Sequence, residues 1–231
     1  SWSPGWFENE NIFLHLEHKY LLACLRSGLV EAFFEDMRQC FLPFQDPERL
    51  GRNPLENASF IMSSRHPRAH YHGRAYQPRS SGMTAEVIEM LLFCLFGPRP
   101  FGLDADGELT LALRPTLPGC WFTGAPSRVG LVLPDGSASA VDVPAHGLAA
   151  RFLGHTTVIY ENPSHTDTYG SEPLAVTVYR LTRHDGRAET FPGPVLPAEP
   201  AQAVRRGDIS VLHGVLGRSA IGERRCLPPV C

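Results

Sequence analysis

The chain lacks the features that mark several large protein classes. No apolar run approaches the roughly 20 residues that a membrane-spanning helix needs, and the longest lies near residues 90–96. It has no secretory leader pattern, no Cys-x-x-Cys pair, no phosphate-binding loop, no dinucleotide fingerprint and no Gly-x-Ser-x-Gly elbow. We therefore expect no membrane partner, no bound metal and no resident cofactor.

An excess of charge of either sign is missing too. The 231 residues carry a net charge of −3 at pH 7, and 43% of them are hydrophobic, as in a globular protein. This balance does not favour a nucleic-acid partner. Cysteines 24, 40 and 94 lie in apolar helical patterns, which predicts buried thiols and favours a reducing, cytoplasmic location.

Helical periodicity dominates the first hundred residues. Apolar positions three and four apart predict helices at 10–26, 30–40 and 84–96, the first two forming an antiparallel hairpin. Residues 42–81 are rich in Pro, Gly and polar side chains and predict an ordered, site-building loop. The helix at 84–96 is so apolar that this chain alone should leave part of its surface exposed.

Short β-type runs replace this pattern after residue 100. They fall at 109–113, 129–133, 138–143, 148–152, 156–160, 174–181 and 209–212, with Asp-Gly turn signals at 106–107, 135–136 and 185–186. This spacing predicts an antiparallel β-sandwich over residues 101–216 after a helical domain over residues 1–100. Residues 217–231, with Cys226 and Cys231, have no element pattern and are expected as an irregular tail of open role.

Two short segments suit ligand binding. Trp6, Glu8 and Asn9 precede the first helix, where an aromatic ring can stack on a sugar and the polar groups can bind its hydroxyls. Capping of that helix is the plain alternative for the acids. A second segment, opening the helix at 84–96, would hold an oxyanion through free N–H groups, hydroxyls and a guanidinium, with an ordinary N-cap as its alternative. Its residues are Arg79, Ser81, Gly82 and Thr84.

Two further features stay less specific. His15 lies among apolar residues, so a satisfied core histidine is an alternative to a ligand. Glu56, in the loop at 42–81, is a further candidate for binding substrate. The same loop brings His66, His70 and His72, but their spacing is not helical and arginines surround them. We therefore predict no metal site there.

Four segments together resemble the cellobiose- and chitobiose-phosphorylase family of inverting glycoside phosphorylases, once classed as glycosyltransferases. They are residues 4–15 (Pro-Gly-Trp-Phe-Glu-Asn-Glu-Asn-Ile-Phe-Leu-His), 81–86 (Ser-Gly-Met-Thr-Ala-Glu), 113–118 (Leu-Arg-Pro-Thr-Leu-Pro) and 151–163, which begins Arg-Phe-Leu-Gly-His. They occur in the family's order. The resemblance implies an α+β fold, with the last helices of an (α/α) six-hairpin toroid followed by the β-sandwich.

The resemblance also implies roles. Glu8 would contact the acceptor sugar, while His15, Thr84 and the Gly82 backbone would lie near inorganic phosphate as co-substrate. Glu10, Asn11 and Glu86 depart from the family pattern. The family's general acid matches no position here, so no catalytic residue is predicted in this chain and we expect that acid upstream of Ser1.

We therefore expect part of a carbohydrate-active enzyme that performs reversible phosphorolysis of a β-glucoside with inversion. Its ligand would be an oligosaccharide or a sugar phosphate, and a homodimer stays open. The alternatives are a non-catalytic carbohydrate-binding or structural module, or a glycosyltransferase or glycoside hydrolase with the same toroid.

Overall fold

The computed structural model describes residues 2–53, 58–77, 81–132 and 136–218, and it omits the side chains of residues 81–83 and 131. The chain divides into two compact units, Ser1–Phe93 and Cys94–Cys231. The boundary predicted at residue 100 lies a few residues further along. Each unit is described by itself below.

The first unit contains the helices α1 (Leu14–Arg26), α2 (Val30–Cys40), α3 (Pro47–Leu50) and α4 (Ser81–Phe96), the last of which runs past the boundary. Three two-residue strands, β1 (Ile12–Phe13), β2 (Phe60–Ile61) and β3 (Ala75–Tyr76), form an antiparallel sheet in the order β1-β2-β3. The three predicted long helices are confirmed, although α1 begins four residues after the predicted start and α4 three residues before it.

Packing in this unit follows the helical spacing of its apolar residues. Leu21 and Leu25 of α1 and Phe33, Phe34 and Met37 of α2 are buried, and the two helices contact each other as an antiparallel hairpin. A second cluster joins the helix start to the loops and the small sheet; its residues are Leu14, Leu42, Leu50, Ala58 and Ile61.

The apolar surface expected on the last long helix is present. In α4, Ile88, Leu91 and Leu92 are 52%, 45% and 49% exposed and share one face at helical spacing. On the other side of the helix, Glu86 and Glu89 form ion pairs with Lys19 and Arg26 of α1. This helix is therefore held to α1 partly by charge, while part of its apolar face stays open.

The second unit is rich in strands. Its elements, after α4, are β4 (Phe101–Leu103), β5 (Leu109–Leu111), β6 (Ser127–Val132), β7 (Ala138–Val143), β8 (Gly147–Phe152), β9 (Thr156–Glu161), β10 (Leu174–Arg183), β11 (Ala188–Pro192), α5 (Ala198–Arg206) and β12 (Ile209–Arg218). The seven predicted β-runs coincide with β5 to β10 and β12. Five strands form one sheet in the order β11-β10-β12-β9-β8, and β4-β5 and β6-β7 are separate two-stranded ribbons.

The predicted fold class is wrong: the described residues form neither part of a helical toroid nor a two-sheet sandwich. The antiparallel prediction fails because α5 separates β11 from β12 and returns the chain so that β12 lies parallel to β9, between β9 and β10. Among the described residues, β6 and β7 pair only with each other, so they stay a two-stranded ribbon and build no second multi-stranded sheet for a sandwich. Helix α5 contacts β5 with a buried face that includes Ala201 and Val204.

Buried tyrosines connect the strands of this unit to its loops and to the last turn of α4. Tyr179 on β10 is fully buried; its hydroxyl accepts the Leu113 amide N–H at 2.9 Å and donates to the Pro194 carbonyl at 3.2 Å. Tyr160 on β9 donates its hydroxyl to the Leu95 carbonyl at 2.6 Å. Burial raises the pKa of both phenols, so they remain neutral donors.

Candidate functional site

The segment before α1 forms a tight turn that presents Glu8. Gly5 donates its amide N–H to the Asn9 carbonyl at 2.6 Å, and Asn9 donates to the Trp6 carbonyl at 3.2 Å. Gly5 has a φ of 74°, and a Cβ there would collide with the backbone nitrogen of His66. Only glycine fits that close approach, and the turn leaves the Glu8 side chain exposed.

Four aromatic residues of this region form a cluster that we call the aromatic platform: Trp2, Trp6, Phe7 and Tyr76. The rings of Trp6 and Tyr76 are stacked with centroids 4.4 Å apart and planes 5° apart, and Trp2 lies 4.6 Å from Phe7. The side chain of Trp2 is 56% exposed, so its indole is a part of the platform that solvent contacts. The Asn9 amide donates to the Trp2 carbonyl at 2.7 Å and ties the platform to the turn.

The hydroxyl of Tyr76 stabilises the turn through two hydrogen bonds. It accepts the Phe7 amide N–H at 2.6 Å and the Asn11 side-chain amide at 2.9 Å. Burial raises the pKa of Tyr76 although both donors oppose that shift. The phenol therefore stays protonated and fixes the backbone on which Glu8 and Asn9 stand.

The ring of Phe60 connects this platform to His15. Phe60 stacks on Tyr76 with centroids 5.6 Å apart, and its centroid lies 4.2 Å from Phe13 and 6.3 Å from His15. The His15 ring is 3.9 Å from Phe13. The predicted sugar-binding turn and the predicted phosphate-binding histidine are thus joined by a continuous set of rings.

His15 lies in a setting that favours its neutral form. Burial is the first cause that lowers the pKa of His15; the Lys19 ammonium lowers it further, and the Glu86 carboxylate opposes both. Its Nδ1 is buried and has no hydrogen-bond partner among the described residues. A neutral imidazole has one donor and one acceptor nitrogen, so His15 keeps one hydrogen-bonding position unused in a closed environment.

Lys19 and Glu86 form a close ion pair beside this histidine. The Lys19 ammonium lies 2.6 Å from Glu86 Oε1, and the Glu86 side chain is only 13% exposed. The hydrogen bond from Lys19 lowers the pKa of Glu86, although burial opposes that effect. Glu86 is thus a carboxylate at neutral pH, and its second oxygen has no hydrogen-bond partner among the described residues.

Sequence reasoning did not identify Lys19 as a site residue. It stands four positions after His15 on α1, so both face the same side of the helix. That spacing was a usable signal for Lys19 itself. Its partner Glu86 is distant in the sequence, so the pair could not be read from local pattern.

The structure places only some of the predicted residues. Trp6, Glu8 and Asn9 lie together on the turn, His15 lies near Glu86, and Thr84 is exposed in the first turn of α4. Arg79 and Glu56 lie outside the described residues, as does the tail with Cys226 and Cys231. Ser81 and Gly82 open α4, and the structure does not describe the Ser81 side chain.

In the part of the chain that the structure describes, no group of three or more His, Cys, Asp or Glu side chains is arranged to hold a metal ion. No helix among those residues is both long and apolar enough to cross a bilayer. No protein-family model matches the chain, and no curated protein matches it significantly.

Proposed function

We propose that the first unit binds a carbohydrate on the aromatic platform, with Glu8 and Asn9 contacting its hydroxyls. The observation that carries this proposal is an exposed indole, Trp2, set against Phe7, whose ring in turn contacts the stacked pair Trp6–Tyr76. The same turn presents the exposed Glu8 side chain. Aromatic faces favour the apolar faces of sugar rings, while carboxylates and amides accept and donate hydrogen bonds to hydroxyls. Helix capping does not require the ring cluster.

We further propose that the chain is part of a glycoside phosphorylase-like enzyme. The resemblance described above supports this, and so does the connection from the platform through Phe60 to the neutral His15. Phosphate bound near His15 and Thr84 would compete with Glu86 for the Lys19 ammonium. The phosphorylase proposal thus requires Lys19 to exchange its carboxylate partner for a phosphate oxygen.

A second candidate function follows from the same ion pair. The Glu86 carboxylate already neutralises the Lys19 ammonium. The surroundings of His15 therefore suit an uncharged sugar hydroxyl better than an anion. This favours a carbohydrate-binding module or a related hydrolase, for which phosphate has no role. Phosphate dependence separates the two candidates.

The state of the cysteines supports a cytoplasmic location as part of the proposal. The described cysteines, Cys24, Cys40, Cys94 and Cys120, are all free thiols. Burial raises the pKa of Cys40 and of Cys94 to about 12, so both thiols stay protonated and unreactive. Free thiols are the usual state in a reducing compartment.

Titration calorimetry with cellohexaose tests the binding proposal. We expect saturable binding that weakens about tenfold in Trp2→Ala, since an aromatic contact and the apolar area it covers contribute roughly 1–2 kcal/mol. Phe44→Ala is a matched control, because Phe44 is 55% exposed against 56% for Trp2 and lies outside the platform. Equal affinity in the two variants would refute the proposal.

Sugar-phosphate release then tests the reaction. The full-length protein is incubated with a β-linked disaccharide with and without inorganic phosphate, and both sugar-1-phosphate and free sugar are measured. Phosphate-dependent release of the sugar-1-phosphate supports the phosphorylase. Binding without turnover supports the module, and turnover that ignores phosphate supports a hydrolase.

A further inference from the structure

The loop that follows β2 has an uneven charge. Residues 62–74, which we call the basic loop, include three arginines, three histidines and no Asp or Glu. Arg65, Arg68, His70 and Arg74 of this segment are exposed. The whole chain carries a net charge of −3, so this concentration of positive charge is local.

Backbone hydrogen bonds close this segment into a compact loop. Met62 donates its amide N–H to the Arg74 carbonyl at 2.9 Å, and Gly73 donates to the Met62 carbonyl at 2.8 Å. His72 Nε2 donates to the His66 carbonyl at 2.7 Å, which places the proton on that nitrogen. The positive side chains therefore extend from a backbone that these hydrogen bonds hold in one conformation.

Two glycines make room for two guanidinium groups. A Cβ at Gly51 would collide with Arg74 Nη1, and a Cβ at Gly73 would lie 2.7 Å from Arg49 Nε. Arg74 thus packs over Gly51, which lies two residues after Arg49, and Arg49 packs over Gly73, which directly precedes Arg74. Because both glycines also have positive φ, of 68° and 79°, a side chain at either place is disfavoured twice.

Most of these cations have no described counter-ion. Arg65 donates from Nε to Glu10 Oε2 at 2.7 Å. Arg49, Arg68 and Arg74 form no ion pair with any described carboxylate. Guanidinium groups without a partner bind carboxylate, sulfate or phosphate oxygens well, because their N–H donors match such groups in pairs.

The basic loop adjoins the aromatic platform. Gly5 packs against the backbone of His66, and the Trp6 and His66 rings have centroids 6.3 Å apart. A sugar chain on the platform that extends past Trp6 toward His66 would reach this loop. The Glu8 side chain is exposed and its carboxylate accepts hydrogen bonds from hydroxyl groups, which favours a saccharide over a polyphosphate backbone.

We propose that the carbohydrate bound by the first unit carries anionic groups, either uronate carboxylates or sulfate esters, that contact the loop at Arg68 and Arg74. This inference rests on the proposed carbohydrate site and names its substrate class. The platform binds the ring faces, and the unpaired guanidinium groups bind the charged substituents. Affinity therefore falls as salt screens the charges.

Calorimetry with matched ligands tests the inference. Hexagalacturonate and its methyl ester have the same sugar frame and differ in charge, and sulfated cellohexaose paired with cellohexaose does the same for sulfate esters. We expect at least one acidic ligand to bind about tenfold more tightly than its neutral counterpart, and this preference identifies carboxylate or sulfate as the group bound. Equal binding of both pairs overturns the inference.

Matched variants locate the contact. Arg68→Gln and Arg74→Gln should each weaken binding of the preferred acidic ligand about tenfold while leaving binding of its neutral partner unchanged, and Arg74→Lys should weaken it less than Arg74→Gln. Arg128→Gln, an exposed arginine on β6, is the control with the same change of charge. Equal losses in Arg68→Gln, Arg74→Gln and the control overturn the inference.

Two further outcomes separate this inference from the proposed function. If neutral and acidic ligands bind equally tightly and Trp2→Ala weakens both, the carbohydrate site on the platform stands and the anionic substrate is refuted. If Trp2→Ala leaves the affinity for the acidic saccharides unchanged, the carbohydrate site is refuted, and the anionic saccharide with it. The same conclusion follows if a hexauridylate RNA binds more tightly than the acidic saccharides.

Discussion

Replacing Tyr76 by Phe tests which contacts hold the turn that presents Glu8. The substitution removes one hydroxyl, which accepts hydrogen bonds from the Phe7 amide at 2.6 Å and from the Asn11 side chain at 2.9 Å. A hydrogen bond contributes about 1 kcal/mol net, and both donors are only partly buried, so water replaces part of the loss. We expect the free energy of unfolding to fall by roughly 1–2 kcal/mol. The ring stays, so the stacking on Trp6 at 4.4 Å is kept.

Two measurements check this expectation. Urea unfolding followed by near-ultraviolet circular dichroism gives the free energy, and hydrogen exchange of the Phe7 amide reports the lost bond directly. Tyr71→Phe is the control, since its hydroxyl has no hydrogen bond to a described residue and the change should cost about 0.5 kcal/mol or less. If Tyr76→Phe costs no more than the control, or Phe7 exchange stays unchanged, the described geometry of the turn is wrong.

Three other changes have defined outcomes. Lys19→Met should raise the pKa of His15 in an NMR titration, because it removes a cation that disfavours the imidazolium; an unchanged or lower value contradicts the site. Gly51→Ala should lower the melting temperature through a cost of about 1 kcal/mol or more, because φ is 68° there; a melting temperature equal to the wild type refutes the strain. Tyr179→Phe should lower the unfolding free energy in urea by roughly 1–3 kcal/mol, because the buried Leu113 amide loses its acceptor; a change under about 0.5 kcal/mol refutes that.

Local pattern was sufficient for most of the elements. The helix predicted at 30–40 is α2, Val30–Cys40, since the spacing of Phe33, Phe34 and Met37 defines one buried face. The β-runs were likewise visible as short apolar segments between turn residues. What these patterns report is the environment of each residue within its own element.

The fold class was predicted wrongly because local patterns do not report how elements distant in the sequence pair and pack. Helix α5 has a proline at position 200, which argues against a helix by composition, yet it lies in the first turn where proline is tolerated. Without that helix, the parallel pairing of β12 with β9 could not be foreseen. The toroid was implied by resemblance alone, and short motifs of loops and helix starts do not specify the packing around them.

The candidate site shows the same division. Trp6, Glu8 and Asn9 are neighbours in the sequence, so their shared turn could be predicted. The contacts of Trp6 with Tyr76 and of Lys19 with Glu86 join positions far apart, and only the folded chain brings them together. The uncompensated arginines of the basic loop were noted in the sequence only as an argument against a metal.

The carbohydrate site on the aromatic platform is the central claim, and the tryptophan indole N–H signals test it most directly. The protein has three tryptophans, two on the platform and Trp121 in the second unit. In a titration of the whole chain with cellohexaose, followed by sulfated cellohexaose and hexagalacturonate, the account predicts saturable shifts of the Trp2 and Trp6 signals and a constant Trp121 signal. Constant Trp2 and Trp6 signals with all three sugars would contradict it.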